Sequence, residues 1–227
     1  MSASACVCVL LYGGQHQHEK LARRILNPAF FALNELGVEF RFGLNAVGSS
    51  TRKLVQTCAE ELNAPVVLDG PNIYKYPMMR ALFQKDITAP ITMWFDHDSY
   101  LDLMPVDVPG WFSRLTRLLA NCDMLGSVYR GSLNNEQKEL ARQQSWYVED
   151  APHRSINYAL GGWWAIRTAV LQKFNWPPHL LSQKNGDIIL GELLAQQRLS
   201  LAHFRDGLKI NVNTDGVEGA TSRTITM

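Results

Sequence analysis

Much that would classify a chain quickly is scarce in this one. Its 227 residues include only four cysteines, Cys6, Cys8, Cys58 and Cys122, with no Cys-x-x-Cys pair. Reduced, buried thiols are therefore expected rather than a disulfide framework or a zinc site. Net charge is nearly absent: 22 Lys+Arg against 21 Asp+Glu leave +1. No global field recruits nucleic acid or a membrane, although a local patch remains open. No apolar run reaches ~18 residues, the length of a spanning helix. The opening "MSASACVCVLLYGG" is apolar but carries no basic residue ahead of it, so it does not read as a signal peptide. A soluble, cytoplasmic protein is the expectation. There is no GxGxxG after the first apolar run, which weighs against a dinucleotide-binding Rossmann unit. Repeats and low-complexity tracts are also missing.

What is present is an alternation. "CVCVLLYGG" reads as a buried parallel strand ending at Tyr12-Gly13-Gly14. "HEKLARRILNPAFFALNELG" follows with helical spacing, broken or kinked at Pro28 and ended by Gly37. "VEFRFGLN" is a second strand, ending at Asn45, and "SSTRKLVQTCAEELN" a capped helix. "APVVLDG", "YPMMRALFQKD" and "APITMWFDHD" add strand, helix and strand. Four strands joined by helices predict a mainly parallel sheet with helices on its faces. Ligands bind at the carboxyl ends of such strands. Tyr12, Asn45, Asp69, Asp96 and Asp98 all sit at predicted strand ends. The second half is less regular. "PGWFSRLTRLLANC" is a helix and "DMLGSVYR" a strand. The polar stretch from Gly131 to Ser155 has little to bury and reads as a mobile flap. "NYALGGWWAIRTAVLQKFNWPP" reads as strand, Gly-Gly turn, strand and helix. "NGDIILGELLAQQRLSLAHF" is a capped helix and a strand. One α/β domain over 1–227 is expected: a nucleotide-binding half over 1–100, an acceptor-side half over 101–210, and a loosely held tail over 211–227.

The chemistry centres on "DHD", Asp96 to Asp98. In a strand, residues i and i+2 face one way, so both carboxylates can approach one ion. Oxygen ligands suit Mg²⁺ or Mn²⁺, which keep positions open for phosphate oxygens. Such an ion neutralises the charge developing on a departing diphosphate. Taken alone, the tripeptide is more simply an acidic turn.

Its neighbours change that balance. "LNAVGSS", "VVLDGPNIYKYPMMRAL", "ITMWFDHDSYL", "GGWWAIRTAVL" and "NGDIILGELL", in that order, resemble the inverting family 2 glycosyltransferases of the GT-A fold. The resemblance runs from about residue 6 to about residue 205. It implies a nucleotide-diphospho-sugar transferase domain that uses a nucleotide-sugar donor, UDP-linked first, and Mn²⁺ or Mg²⁺. "DHD" matches the family's DxD, which implies that Asp98 ligates the metal and Asp96 meets the ribose or metal side of the nucleotide. Asn45 takes the position of an acidic residue near the base. Tyr12, Gly13 and Asp69 join it on the donor side. Lys75 and Arg80 match the basic and Asn positions of a helix that touches nucleotide or diphosphate, with a solvated helix face as the other reading of Arg80. Gly161 and Gly162 allow close approach of a ligand. Trp163 or Trp164 can stack on an acceptor sugar, the other being core. Asp187 takes the catalytic base position, although it can equally cap its helix; Gly186 stands where the family has Glu. His203 matches a late metal-binding histidine, with a structural role equally open. His97 reads as a spacer, and His16 and His18 as loop residues within reach of a phosphate. Glu192 reads as structural.

Two other classes compete. A sugar nucleotidyltransferase would carry a Gly-rich basic signature near the first strand, and "YGGQHQHEK" is a poor match. A non-catalytic nucleotide-sugar binder would have no use for Asp187. The acceptor is expected to be soluble: a saccharide, a small molecule, a protein, or a hydroxymethylated base in DNA. For the last, Arg130, Lys138, Arg142 and Arg154 are the candidate phosphate contacts, against a solvated helix face.

Overall fold

The first apolar run becomes β1 (Ala5–Tyr12), buried on both faces from Ala5 to Leu11, in a computed structural model that describes residues 3–64, 66–83, 87–148, 155–213, 215 and 217. Arg154 and most of the expected tail lie outside those residues. Helix α1 (His16–Ile25) stops where Pro28 starts α2 (Pro28–Ala32), capped by the Asn27 side chain, which accepts from Phe30 N at 3.0 Å. Gly37, at φ 71°, closes the short turn that follows. The alternation continues through β2 (Val38–Asn45), α3 (Ser49–Glu61), β3 (Val66–Gly70), α4 (Lys75–Phe83) and β4 (Ile91–Asp96). After β5 (Tyr100–Leu101) come α5 (Val108–Leu119), β6 (Met124–Gly131), α6 (Asn135–Arg142), β7 (Ile156–Arg167), α7 (Thr168–Lys173), α8 (Gly186–Gln196), β8 (Leu201–His203) and β9 (Leu208–Lys209).

Seven strands form one sheet in the order β3-β2-β1-β4-β7-β6-β8, and β5 pairs with β9 apart from it. The first four are mutually parallel. β7 is antiparallel to both β4 and β6, and β8 is parallel to β6. Only β7 therefore runs against the rest. Alternate residues of each central strand enter two separate cores. Val7, Val9, Met93, Phe95 and Trp163 pack toward α1, α2, α3 and α5. Cys6, Cys8, Leu10, Trp94 and Trp164 pack toward α4, α7 and α8. All four cysteines are free and buried.

Three expectations need correction. The Gly-Gly turn is not a turn, because β7 runs unbroken for 12 residues through Gly161 and Gly162. Neither glycine has positive φ; their smallness answers neighbours instead. A Cβ on Gly161 would overlap the Asp187 carboxylate, and one on Gly162 would overlap Ser99 Oγ. The flap reading also fails over its described part. α6 and the residues after it pack on α8 through buried Ala141 and Trp146, with Gln197 Nε2 donating to Trp146 O at 2.7 Å. Residues 149–154 of that stretch lie outside the described ones. Finally, β4 ends at Asp96, and His97 and Asp98 belong to a turn closed by Ser99 N donating to Asp96 O at 3.0 Å. The period-two argument therefore does not reach Asp98.

Candidate functional site

Asp96 emerges on the α4–α8 side of the sheet because it is two residues beyond Trp94 in one strand. Both its oxygens are taken. Trp94 Nε1 donates to Oδ1 at 2.9 Å, and Lys75 Nζ to Oδ2 at 2.6 Å. Lys75 opens α4 and also donates to Gly161 O at 2.9 Å. Burial pushes the Asp96 carboxyl up to about 6, against the pull of Lys75. Burial also works against the Lys75 charge, but Asp96 and then Asp187 outweigh it and hold the ammonium above its ordinary value. The pair is thus a largely buried ion pair, its side chains 14% and 15% exposed, with further hydrogen bonds at both ends.

Asp98 is less committed. Its Oδ1 accepts from Ser99 Oγ at 3.4 Å, and its main-chain O from Val212 N at 2.9 Å. Burial raises its carboxyl. Asp187 lies in the first turn of α8, whose cap residue is Asn185, so Asp187 does not serve as the cap. Its Oδ1 accepts from the Tyr76 hydroxyl at 3.1 Å, while Gly161 lies against its carboxylate. Asp187 acts electrostatically on both Lys75 and Asp96. Lys75 therefore bonds the β4 carboxylate and interacts electrostatically with those of the β4 turn and α8.

At the end of β1, Tyr12 is 41% exposed and meets His97 edge-on, with ring centroids 3.9 Å apart. His18 joins them at 5.5 Å from Tyr12, with its Nδ1 accepting from Gln15 N at 3.2 Å. Burial lowers His97 to about 4, so its ring is neutral at ordinary pH. Gly13 takes φ 86° beneath the His18 ring, where a Cβ would collide.

The sequence matches no family model and no curated protein. Solved structures do match. S. aureus TarS 1–349 in complex with UDP is 14% identical, with a TM-score of 0.58 over 91% of this chain and 58% of that one. A mannosyltransferase from Pyrobaculum calidifontis, in complex with GDP-Man and Mn²⁺, is 12% identical, with a TM-score of 0.58 over 91% of this chain and 56% of that one. A Bacillus anthracis protein assigned as a glucose-1-phosphate thymidylyltransferase reaches a TM-score of 0.52 at 9% identity, over 91% of this chain and 89% of that one. The fold is GT-A-like. The chain spans little more than half the length of the TarS and mannosyltransferase structures.

Within the GT-A-like fold, the sequence-predicted residues divide. Asp96, Lys75, Gly161 and Asp187 meet, and Asp98 acts on them electrostatically from the β4 turn. Asn45 is buried at the neighbouring strand end, where its Oδ1 accepts from Ile73 N at 2.7 Å and anchors the loop leading into α4. Asp69 is bound bidentately by Arg52 of α3. Arg80 turns away, donating to Pro177 O at 2.6 Å and Asn175 Oδ1 at 3.4 Å. Trp163 and Trp164 are both core, 0% and 2% exposed on opposite faces, so neither offers a stacking face to an acceptor. His203 sits on edge strand β8, three ladder steps from β4, roughly 14 Å at the usual strand spacing. Its Nδ1 accepts from Val128 N at 3.2 Å. Arg130 donates to Ser155 Oγ at 3.1 Å. Glu192 is buried and bonded to Gln196. Sequence reasoning missed Tyr76 and Trp94, the two residues that hold Asp187 and Asp96.

Among the described residues, no group of three or more His, Cys, Asp or Glu is arranged around a metal. Asp98 nevertheless fits a divalent cation. Mg²⁺ and Mn²⁺ are commonly held by one or two carboxylates together with substrate phosphates, and the Asp98 carboxylate is bonded only locally, by its own backbone N–H and by Ser99 Oγ at 3.4 Å, among the described residues. Asp96 does not fit that role while Lys75 and Trp94 occupy its oxygens.

Proposed function

We propose that this chain is an inverting glycosyltransferase that moves a sugar from a nucleotide-diphosphate donor, UDP-linked first, to a hydroxyl acceptor with the help of Mn²⁺ or Mg²⁺. The reading rests on one observation: carboxylates from both halves of the chain act on Lys75 at the carboxyl end of β4, Asp96 by a direct bond and Asp187 electrostatically. Structures of the same fold support it by their ligands, UDP-GlcNAc in TarS and GDP-Man with Mn²⁺ in the mannosyltransferase.

In this mechanism residues 1–100 hold the nucleotide and residues 101–210 the acceptor. The aromatic cluster around Tyr12 and the loop anchored by Asn45 flank the base. Lys75 presents a fixed positive charge to the diphosphate. A divalent cation held by Asp98 and the phosphate oxygens would add charge neutralisation there. Asp187 accepts the proton of the acceptor hydroxyl as that oxygen bonds to the anomeric carbon. The bond from this carbon to the diphosphate oxygen breaks, and its electron pair leaves with the nucleotide diphosphate. Attack opposite the leaving group inverts the configuration. No helix of the described residues is long and apolar enough to cross a membrane, and the acceptor we propose is soluble: a saccharide, a small molecule, a protein or a modified DNA base.

The test is a screen of UDP-, GDP- and dTDP-sugars for donor turnover, with and without Mn²⁺, on the wild type and Asp98→Asn. Expected are release of one nucleoside diphosphate in Mn²⁺ and loss of that release in the variant. Consumption of a sugar 1-phosphate with a nucleoside triphosphate would instead assign a nucleotidyltransferase. Metal-independent release unaffected by Asp98→Asn would refute the metal role.

A further inference from the structure

We propose that Tyr76 is the positioning residue of Asp187, and that position 186 is glycine in order to admit it. This rests on the reading of Asp187 as the base. The family that the sequence resembles has a Glu beside its catalytic Asp, and here Gly186 replaces it. The replacement has a steric cause. A Cβ at 186 would fall on the Tyr76 ring, with Cζ, Cε1 and the hydroxyl oxygen as its nearest neighbours. The phenol from α4 thus fills the volume that a side chain at the start of α8 would need. From there its hydroxyl donates to Asp187 Oδ1 at 3.1 Å.

The ring has little freedom to be elsewhere. Tyr76 is 3% exposed and belongs to the core beneath α4 and α8. Its backbone N–H donates to Ser182 O at 2.9 Å, joining α4 to the loop that leads into α8. On the far side of the carboxylate lies Gly161, again with no room for a Cβ. Asp187 is bracketed between a hydroxyl and a glycine. Burial first, and then Asp187, hold the Tyr76 phenol well above its ordinary value. It therefore keeps its proton and remains a donor wherever the carboxylate is ionised. A hydroxyl so placed restricts the carboxylate rotamer and leaves the other oxygen to face an acceptor. A tyrosine serving only as packing would need its ring and not its oxygen.

The experiment uses the full chain, Mn²⁺, and whichever UDP-, GDP- or dTDP-sugar it turns over fastest. Tyr76→Phe keeps the ring and removes the hydroxyl. Its kcat should fall by about 10- to 100-fold, the scale of a displaced catalytic group, while donor KM and the melting midpoint stay at wild-type values. Asp187→Asn should fall by about 1,000-fold. Gly186→Ala should also lower kcat in the wild type but cost little more in Tyr76→Ala, because the two positions compete for one space. This pair serves if Tyr76→Phe folds poorly. Wild-type kcat in Tyr76→Phe beside an inactive Asp187→Asn would overturn the positioning role alone. An active Asp187→Asn, or a wild type that turns over no sugar in the panel, would remove the base and Tyr76's role with it.

Discussion

Asp96 and Asp187 both act on Lys75, yet their surroundings differ in kind. Asp96 ends a central strand, has both oxygens occupied, and is neutralised by a largely buried lysine. Asp187 stands on the first turn of a helix with a single side-chain donor and a glycine for a neighbour. The first arrangement resembles framework, in which every polar atom has a partner. The second leaves capacity unused, which is what a group that must accept a proton requires. The difference suggests how to read an acidic cluster: the carboxylate with the most bonds is the least available for chemistry.

Four experiments break or sharpen this contrast. The largest effect is expected from Lys75→Met, which leaves Asp96 buried without its counter-charge. Urea denaturation should show a loss of about 3 kcal/mol. Asp187→Asn should unfold within about 1 kcal/mol of wild type, the usual range for a change that leaves no buried charge behind. Equal losses in the two variants would erase the distinction. Gly161→Ala comes next. The added methyl overlaps the Asp187 carboxylate and should lower kcat by about 100-fold with little change in melting midpoint.

A pH titration isolates the other side of the β4 turn. His97 is lowered from 6.5 to about 4 by burial, so the folded state resists its protonation. Its contribution to stability is present above pH 6.5 and is lost as pH falls from 6.5 toward 4. Asp96, raised from 3.8 to about 6, contributes with the opposite sign: its share is present below 3.8 and lost as pH rises toward 6. Melting midpoints across this range should show a shallower acid loss in His97→Asn than in the wild type. The smallest effect is expected from Arg80→Gln. Losing the bond to Pro177 O should cost about 1 kcal/mol and leave nucleotide affinity unchanged in calorimetry. A large affinity loss would return Arg80 to the donor site.

The parallel half of the sheet was legible because each strand there is a short apolar run between turn signals: "VEFRFGLN" matches β2 residue for residue, and β3 occupies the last five residues of "APVVLDG". β7 was not, because Gly-Gly usually marks a bend. Here it marks two faces crowded by Asp187 and Ser99, a fact about distant residues that local sequence does not carry. The tryptophan pair misled for a related reason. Alternation correctly sends the two indoles to opposite faces, but both faces of this strand are core. Motif order singled out Asp96, Asp98 and Asp187 as candidates. It missed Tyr76, although one trace existed: glycine at 186, beside the candidate base, where a larger residue was expected.

Lys75 and Tyr76 are consecutive residues in the first turn of α4. One holds the carboxylate of β4 and the other that of α8. Neighbouring helical residues project about 100° apart, so the gap between the β4 carboxylate and the α8 carboxylate is measured out by a single dipeptide. The two halves of the chain need not be held in register by the whole sheet at this point; α4 acts as a gauge block between them, and its dimension is covalent.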